Sequence, residues 1–394
     1  MTPMRTSSIE LRYGCNPNQR PACAYVEDGA LPLEALNGAP GYINLLDALN
    51  GWQLVRELRE ACGLPAAASF KHVSPAGAAI GIPLSEMLAR AYFVDDLELS
   101  PIAAAYARAR GADIMSSYGD AAAASDVVDA SLANLLKREV SDLIIAPGYD
   151  EEALAILKQK KGGKYLVLQV DPDYEPPQME ARQVFGITLE QRRNDVRIDR
   201  SILQNVVTAR KEIPPEAERD LLVATVALKY TQSNSVCFAY DGQVIGLGAG
   251  QQSRVHCTRL AGAKADLWFL RQHPRCLDLQ FKPDFGRPAR NNAVDKFLSD
   301  EVTPAEERVW REAFTEVPPK LTAGEKREWL DRLDGVSLSS DAYIPFRDNI
   351  DRAARSGVKY VVQTGGSLRD DEVIAAADEY GMVMAFSGVR LFHH

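Results

Sequence analysis

The sequence predicts an α/β fold in which helices cover the faces of a sheet. Strand-like and helix-like patterns alternate along most of the chain, and a loose strand–Gly–helix rhythm recurs in its two halves. The composition agrees: 46% hydrophobic and 25% charged residues belong to an ordinary globular protein and exclude disordered, collagen-like and coiled-coil classes. At 394 residues the chain suffices for about two or three domains.

Leu45, Leu49, Trp52, Val55 and Leu58 recur at helical spacing, with Asn44 read as N-cap and Gly63 to Pro65 as the stop. A short buried strand is expected at 66–70, which puts Lys71-His72 at its C-terminal end. A helix over 101–110 leads to a strand expected at 113–117, entering Tyr118-Gly119-Asp120. A helix at 125–138, a strand at 142–146, a helix at 151–160 and a strand at 164–170 follow. The polar, Pro-rich stretch 171–178 reads as a boundary. A helix over 216–230 then precedes a hairpin, 236–240 and 243–247, closed by Asp241-Gly242, a good type I′ pair. The next helix starts near Gln251. Between 272 and 333 the sequence is charged and Pro-punctuated, with three helical patterns and little strand signal. The alternation resumes with a helix at 347–355, a strand at 358–363, a helix at 369–380 and a strand at 382–386. The expected organisation is a first unit over 1–180, a second over 181–271 and 334–394, and a helical insertion over 272–333.

The formal charge of −9 and pI near 5.3 argue against nucleic-acid and anionic-membrane binding, so any polyanionic ligand is a small one met by local cations. No apolar run approaches the ~20 residues of a membrane-spanning helix, and the N-terminus lacks the apolar core of an export signal. Six cysteines without a C-x-x-C pair read as reduced thiols, and a cytoplasmic enzyme is expected.

Three segments carry candidate chemistry. In SFKHVSPAG, His72 could take a proton near neutral pH while Lys71 stabilises developing negative charge; a solvated Lys beside a core His would leave the same sequence. In VIGLGAGQQSR, Gly246, Gly248 and Gly250 precede a helix bearing Arg254, as at anion sites, although a tight turn without ligand reads the same way. TQSNS, residues 231–235, is a polar loop that could equally satisfy its own backbone. Zinc-hydrolase and Walker-type ATP motifs are missing, and the five histidines show no metal-ligand spacing apart from the terminal pair, so neither zinc nor ATP is expected.

Long blocks in order, among them LRYGCNPNQ, SFKHVSPAGAAIGIPLSE, REVSDLIIAPGYDEEAL, VFGITL, ATVALKYTQSNSVCFAYDGQVIGLGAGQQSRVHCTRLAG and SDAYIPFRDN, resemble the transformylase half of a bifunctional family. That family is 5-aminoimidazole-4-carboxamide ribonucleotide (AICAR) transformylase/IMP cyclohydrolase, and the resemblance runs from Leu11 to the last residue. Its N-terminal cyclohydrolase domain has no counterpart here, so a stand-alone transformylase is expected. KHVSPAG looks like eukaryotic members, many bacterial ones having Cys at the place of Ala76, whereas the tail QTGGSLRDDEVIAAADEYGM looks bacterial.

The resemblance implies two cytidine-deaminase-like three-layer α/β/α units and a homodimer with shared active sites. It implies formyl transfer from 10-formyltetrahydrofolate to the AICAR 5-amino group, in IMP biosynthesis, without ring closure by this chain. His72 falls on the family's proton acceptor and Lys71 on its transition-state stabiliser. The nucleotide positions fall on Arg12, Tyr13, His72, Gly119, Asp142, Asn234, Arg254 and Arg390, and the folate positions on Val255, Tyr343, Asp348, Ser367 and Leu368. Some members hold a potassium ion near the positions of Thr231, Ser233, Ser235 and Asp341. The rival readings are a non-catalytic nucleotide- or folate-binding homologue, formylation from formate and ATP, and a structural partner for a separate cyclohydrolase.

Overall fold

The computed structural model describes residues 7–394. β1 (Ser7–Leu11) and β2 (Ala22–Val26) pair with each other, and β3 (Leu33–Asn37) begins an eleven-stranded sheet. Then come α1 (Tyr42–Cys62), β4 (Ala66–Lys71), β5 (Ser74–Ile80), α2 (Glu86–Ala91), α3 (Pro101–Ala112), β6 (Asp120–Ala124), α4 (Ala130–Arg138), β7 (Ser141–Ala146), α5 (Glu151–Gln159) and β8 (Leu166–Val170). β4 pairs antiparallel with both β5 and β6, whereas β6, β7 and β8 run parallel; β3 closes the edge against β8. A separate antiparallel hairpin follows, β9 (Met179–Val184) and β10 (Ile187–Arg192), with every residue of both strands exposed.

The second half repeats the first. α6 (Pro215–Lys229), β11 (Val236–Tyr240), β12 (Gln243–Gly248) and α7 (Arg254–Leu270) correspond to α1, β4, β5 and α3. After α8 (Pro274–Leu277), α9 (Arg287–Leu298), α10 (Pro304–Arg311) and α11 (Ala323–Leu330), the pattern continues with β13 (Val336–Ser340), α12 (Asp348–Ala354), β14 (Val358–Gln363), α13 (Asp370–Glu379) and β15 (Val383–Phe386). Again the hairpin's first strand is antiparallel to the next strand, and the last three run parallel. The halves meet where β12 pairs antiparallel with β5, giving the order β15-β14-β13-β11-β12-β5-β4-β6-β7-β8-β3.

The layers follow from alternation along the strands. Ala66, Ala68 and Phe70 of β4 face α1 and α6, while Ala67 faces the layer of α3, α4, α7 and α12. The chain is therefore an α/β protein with a three-layer architecture. α9, α10 and α11 gather their own apolar cluster around Phe297, Trp310, Phe314 and Trp329.

Several expectations are corrected. Residues 113–119 form turns, and the strand is β6, the alanine run Asp120–Ala124; the helix expected from 125 starts at Ala130. A strand of four alanines after Asp120 shows no period-two pattern, and its side chains are small because helices press close: a Cβ on Gly51 of α1 would lie 3.0 Å from that of Ala123. Asn44 does not occupy the N-cap; Gly41 does, and the Asn44 carboxamide oxygen accepts its N–H at 2.9 Å. β1, β2, β3, β5, β9, β10 and β13 were not expected from local pattern.

Candidate active site

β4 and β5 are joined by a two-residue turn, His72-Val73, with Lys71 paired to Ser74 across it. Both turn residues have left-handed φ, +53° and +61°. Such a turn suits Asn-Gly or Asp-Gly; an L-residue there gives up about 1–2 kcal/mol, and a β-branched one is a genuine outlier. Asp47 of α1 accepts the Val73 N–H at 2.6 Å. Burial pushes the Asp47 carboxyl up, opposed by hydrogen bonds from the Val73 and His72 backbone and by the charges of His72 and Lys71. The His72 side chain is exposed.

Lys71 reaches back over the start of β6, donating from Nζ to the Tyr118 and Gly119 carbonyls at 2.5 and 3.0 Å. Gly119 has φ +72°, and a Cβ there would stand 3.1 Å from Lys71 Nζ and 3.6 Å from Asp142 Oδ2. Lys71, Gly119 and Asp142 thus share one small space, with Lys161 Nζ bonded to Asp142 at 2.5 Å. Beneath it a buried network fixes the turn. Ser69 donates to Asp120 at 2.7 Å, and Arg110 contacts Asp120 and Glu139 at 3.1 Å each and donates to the Ser117 carbonyl at 2.6 Å. Burial raises the Asp120 pKa even against Arg110 and the hydrogen bonds it receives.

The second half supplies the neighbouring wall. Arg254, first residue of α7, donates to the Ser235 carbonyl at 3.0 Å and the Asn234 Oδ1 at 2.9 Å, and bonds the buried Asp341 carboxylate. Asp341 also accepts from the Ser233 hydroxyl at 2.6 Å and the Ser235 N–H at 3.0 Å. The C-terminal tail docks on this loop: the Ser233 N–H donates to the His393 carbonyl, the His393 N–H to the Ser233 hydroxyl and the Leu391 N–H to the Asp341 carbonyl. The Gln232 N–H donates to Ser74 Oγ at 3.3 Å, joining the TQSNS loop to the His72 turn. Residues from both halves therefore converge at one end of the central strands.

The other expected positions lie in separate loops and at helix starts. Val255 is in the first turn of α7, and Asp348 opens α12, whose Asn349 accepts from Thr258 of α7 at 2.8 Å. Tyr343 follows β13, and Ser367 and the exposed Leu368 follow β14; the two loops meet where the Gln363 carboxamide oxygen accepts from Ile344 and Gly365. The Arg390 guanidinium lies over the Phe392 ring, 4.8 Å from its centre. Arg12 and Arg20 both stack on Tyr13, contacts local to the β1–β2 loop, beside an open cleft of about 670 Å³.

Residues 2–264 match the model of the AICARFT/IMPCHase bienzyme family. A bifunctional purine biosynthesis protein PurH from Cereibacter sphaeroides is 33% identical over 99% of this chain and 60% of its own length. The PurH of Xylella fastidiosa strain 9a5c is 32% identical over 98% of this chain and 58% of its own. The chain belongs to the AICARFT/IMPCHase family. It spans about 60% of the length of those PurH relatives.

For a family member, the potassium position can be tested on the residues present. Ser235 Oγ is buried without a partner, an oxygen a cation could use, whereas both Asp341 oxygens are already engaged. The hydroxyls of Thr231 and Ser233 donate to the Ala227 carbonyl and the Asp341 carboxylate, so the donor chemistry of these residues, hard oxygens, suits a monovalent cation. Among the described residues no three of His, Cys, Asp and Glu gather as metal ligands. Sequence reasoning missed Asp47, Ser74, Lys161 and His393, whose roles come from partners distant in the chain. A faint signal for Asp47 existed, since α6 carries Asp220 at the matching position.

Proposed function

We propose that this chain transfers the formyl group of 10-formyltetrahydrofolate to the 5-amino group of AICAR, a step of purine biosynthesis. The observation that carries this reading is the His72 turn beside the anchored Lys71 Nζ, at the same end of the central strands as Arg254 and Asn234. The amine of AICAR is conjugated to an aromatic ring bearing a carboxamide and is a weak nucleophile. His72 takes its proton as nitrogen attacks the formyl carbon, and Lys71 meets the oxyanion that forms. Two of the three Lys71 N–H donors are engaged by carbonyls, leaving one for that oxygen. When the intermediate collapses, the carbon–N10 bond breaks, the proton passes to N10, and tetrahydrofolate leaves.

In this reading Arg12, Arg254 and Arg390 serve the nucleotide phosphate, with Tyr13, Gly119, Asp142 and Asn234 around base and ribose. Val255, Tyr343, Asp348, Ser367 and Leu368 serve the folate, with Asp348 accepting from the pterin. Holding both substrates makes the attack effectively unimolecular. The exposed hairpin β9–β10, with Phe185 at its tip and Ile187 and Leu189 uncovered, supports a homodimer in which a second copy covers it. The test is an assay of purified protein with AICAR and 10-formyltetrahydrofolate, following tetrahydrofolate. Transfer is expected, to a small extent at equilibrium because the product is itself an activated amide. Release no faster than the blank overturns the reading. Inosine monophosphate is followed in the same reaction; none is expected, and its appearance would add ring closure to this chain.

A further inference from the structure

The repeat of the two halves exposes a device that the proposed chemistry does not itself name. Each half has a helix, then a hairpin with a two-residue left-handed turn, and each helix offers one aspartate to that turn. In the second half Asp220 accepts the Asp241 and Gly242 N–H groups at 2.8 and 2.7 Å. In the first half Asp47 accepts the Val73 N–H at 2.6 Å. Both aspartates stand five residues after the first residue of their helices, Tyr42 and Pro215.

The two turns differ in what they ask of their aspartate. Asp-Gly adopts left-handed φ readily, so Asp220 holds a turn that its own sequence favours. His-Val does not favour it, and Val73 is the less suited of the pair. The first turn carries an exposed imidazole and the second closes the junction between halves, where the Ile80 N–H donates to the Gly242 carbonyl. We propose that Asp47 is a positioning residue, holding the His72-Val73 turn left-handed and thereby fixing where the His72 imidazole stands. Its carboxylate acts through the backbone and touches no substrate. This inference rests on His72 as the proton acceptor of the reading above.

The test compares Asp47→Ala, Asp47→Asn and the double variant Asp47→Ala/Val73→Gly in the full chain, with Asp220→Ala as the matched control. A side chain displaced by about an ångström can lower turnover about 100-fold. Asp47→Ala is therefore expected to lower kcat about 10–100-fold while KM for both substrates stays within about twofold. Asp47→Asn keeps an acceptor oxygen and should retain most of kcat. Glycine at 73 accepts left-handed φ without help, so the double variant should recover much of the loss. Asp220→Ala should lower the unfolding temperature without a selective fall in kcat. Unchanged kcat in Asp47→Ala, or no recovery on adding Val73→Gly, overturns the inference; should Asp47→Ala fail to fold, the double variant measured against wild type decides it. If the wild type transfers no formyl group, the formyl-transfer reading falls instead. The positioning role is then judged from the His72 imidazole nitrogen resonances, which must move in Asp47→Ala and not in Asp220→Ala; identical resonances in wild type and Asp47→Ala would sink it.

Discussion

The sharpest test of proton acceptance is to remove the His72 imidazole, because that residue is exposed. His72→Ala should lower kcat about 10²–10⁴-fold, the usual loss for a general base, with the thermal unfolding midpoint unchanged. Lys71→Arg should recover little of what Lys71→Ala loses, because a planar fork cannot satisfy both the Tyr118 and Gly119 carbonyls and keep a donor on the oxyanion. Wild-type turnover in either His72→Ala or Lys71→Arg would contradict these roles. Arg254 couples stability to binding. Asp341 beside it has no exposed surface, so Arg254→Ala leaves a buried carboxylate without its cation, at a cost of about 3–5 kcal/mol in urea unfolding. The same variant should raise KM for AICAR more than for folate, and Asp348→Ala the reverse; equal effects on both would end that division. Of this chemistry, the sequence displayed Lys71, His72 and Arg254 through their motifs. It hid Asp47, because that carboxylate's meaning lies in a partner 26 residues away, and it offered Asp341 only through the family resemblance, not as the partner of Arg254 87 residues away.

Close helix–sheet contact decides the elements, and two glycines set how close. A Cβ on Gly77 of β5 would lie 2.1 Å from the Ala109 carbonyl oxygen of α3, and one on Gly246 of β12 equally close to the Ala261 oxygen of α7. Gly77→Ala and Gly246→Ala should each cost about 3 kcal/mol or more by denaturant unfolding, since backbone cannot yield as a side-chain end does. A loss under 1 kcal/mol would mean that the layers have slack. In the insertion, Thr303 with Glu306 and Thr322 with Glu325 form capping boxes at the starts of α10 and α11. Hydrogen bonds from the Thr303 backbone and hydroxyl, with Lys296, hold the Glu306 carboxyl down at about 2. Its folded pKa lies below its unfolded one, so the cap's contribution is complete above about 4.5 and is lost as pH falls toward about 2. A carboxyl resonance of Glu306 titrating near 4.5 would remove that argument. Helices such as α5 and hairpins such as β11–β12 were legible because their signals are local. β6 was not, because an alanine run means a strand only beneath two packed helices.

Across the whole molecule, Arg108 bolts the halves together. It is buried on α3 and donates to the Ile82 and Pro83 carbonyls, and across the junction to the Asp241 carbonyl and carboxylate and to Gln243. Arg108→Ala should lower stability by about 2–4 kcal/mol, because one buried and several half-buried acceptors lose their donor together. The hairpin β9–β10 makes a prediction of another kind. If a second copy covers it, light scattering should give about twice 43.3 kDa for the wild type and a monomer after Phe185→Asp with Ile187→Asp. A double variant still at the dimer mass would place the interface elsewhere.

The sequence by itself determined the α/β class, the strand that presents Lys71-His72, the Asp241-Gly242 hairpin and the run of motifs that marks the family. Each is written in spacing between near neighbours, where backbone geometry converts residue type directly into a helix face, a strand or a turn. Tertiary structure alone decided that the two halves share one eleven-stranded sheet, that His72 stands in a left-handed turn held by α1, and that Ser74 meets Gln232 across 158 residues. Those outcomes depend on which surfaces bury each other, and that is settled by the packing of distant segments and not by the pattern along any one of them.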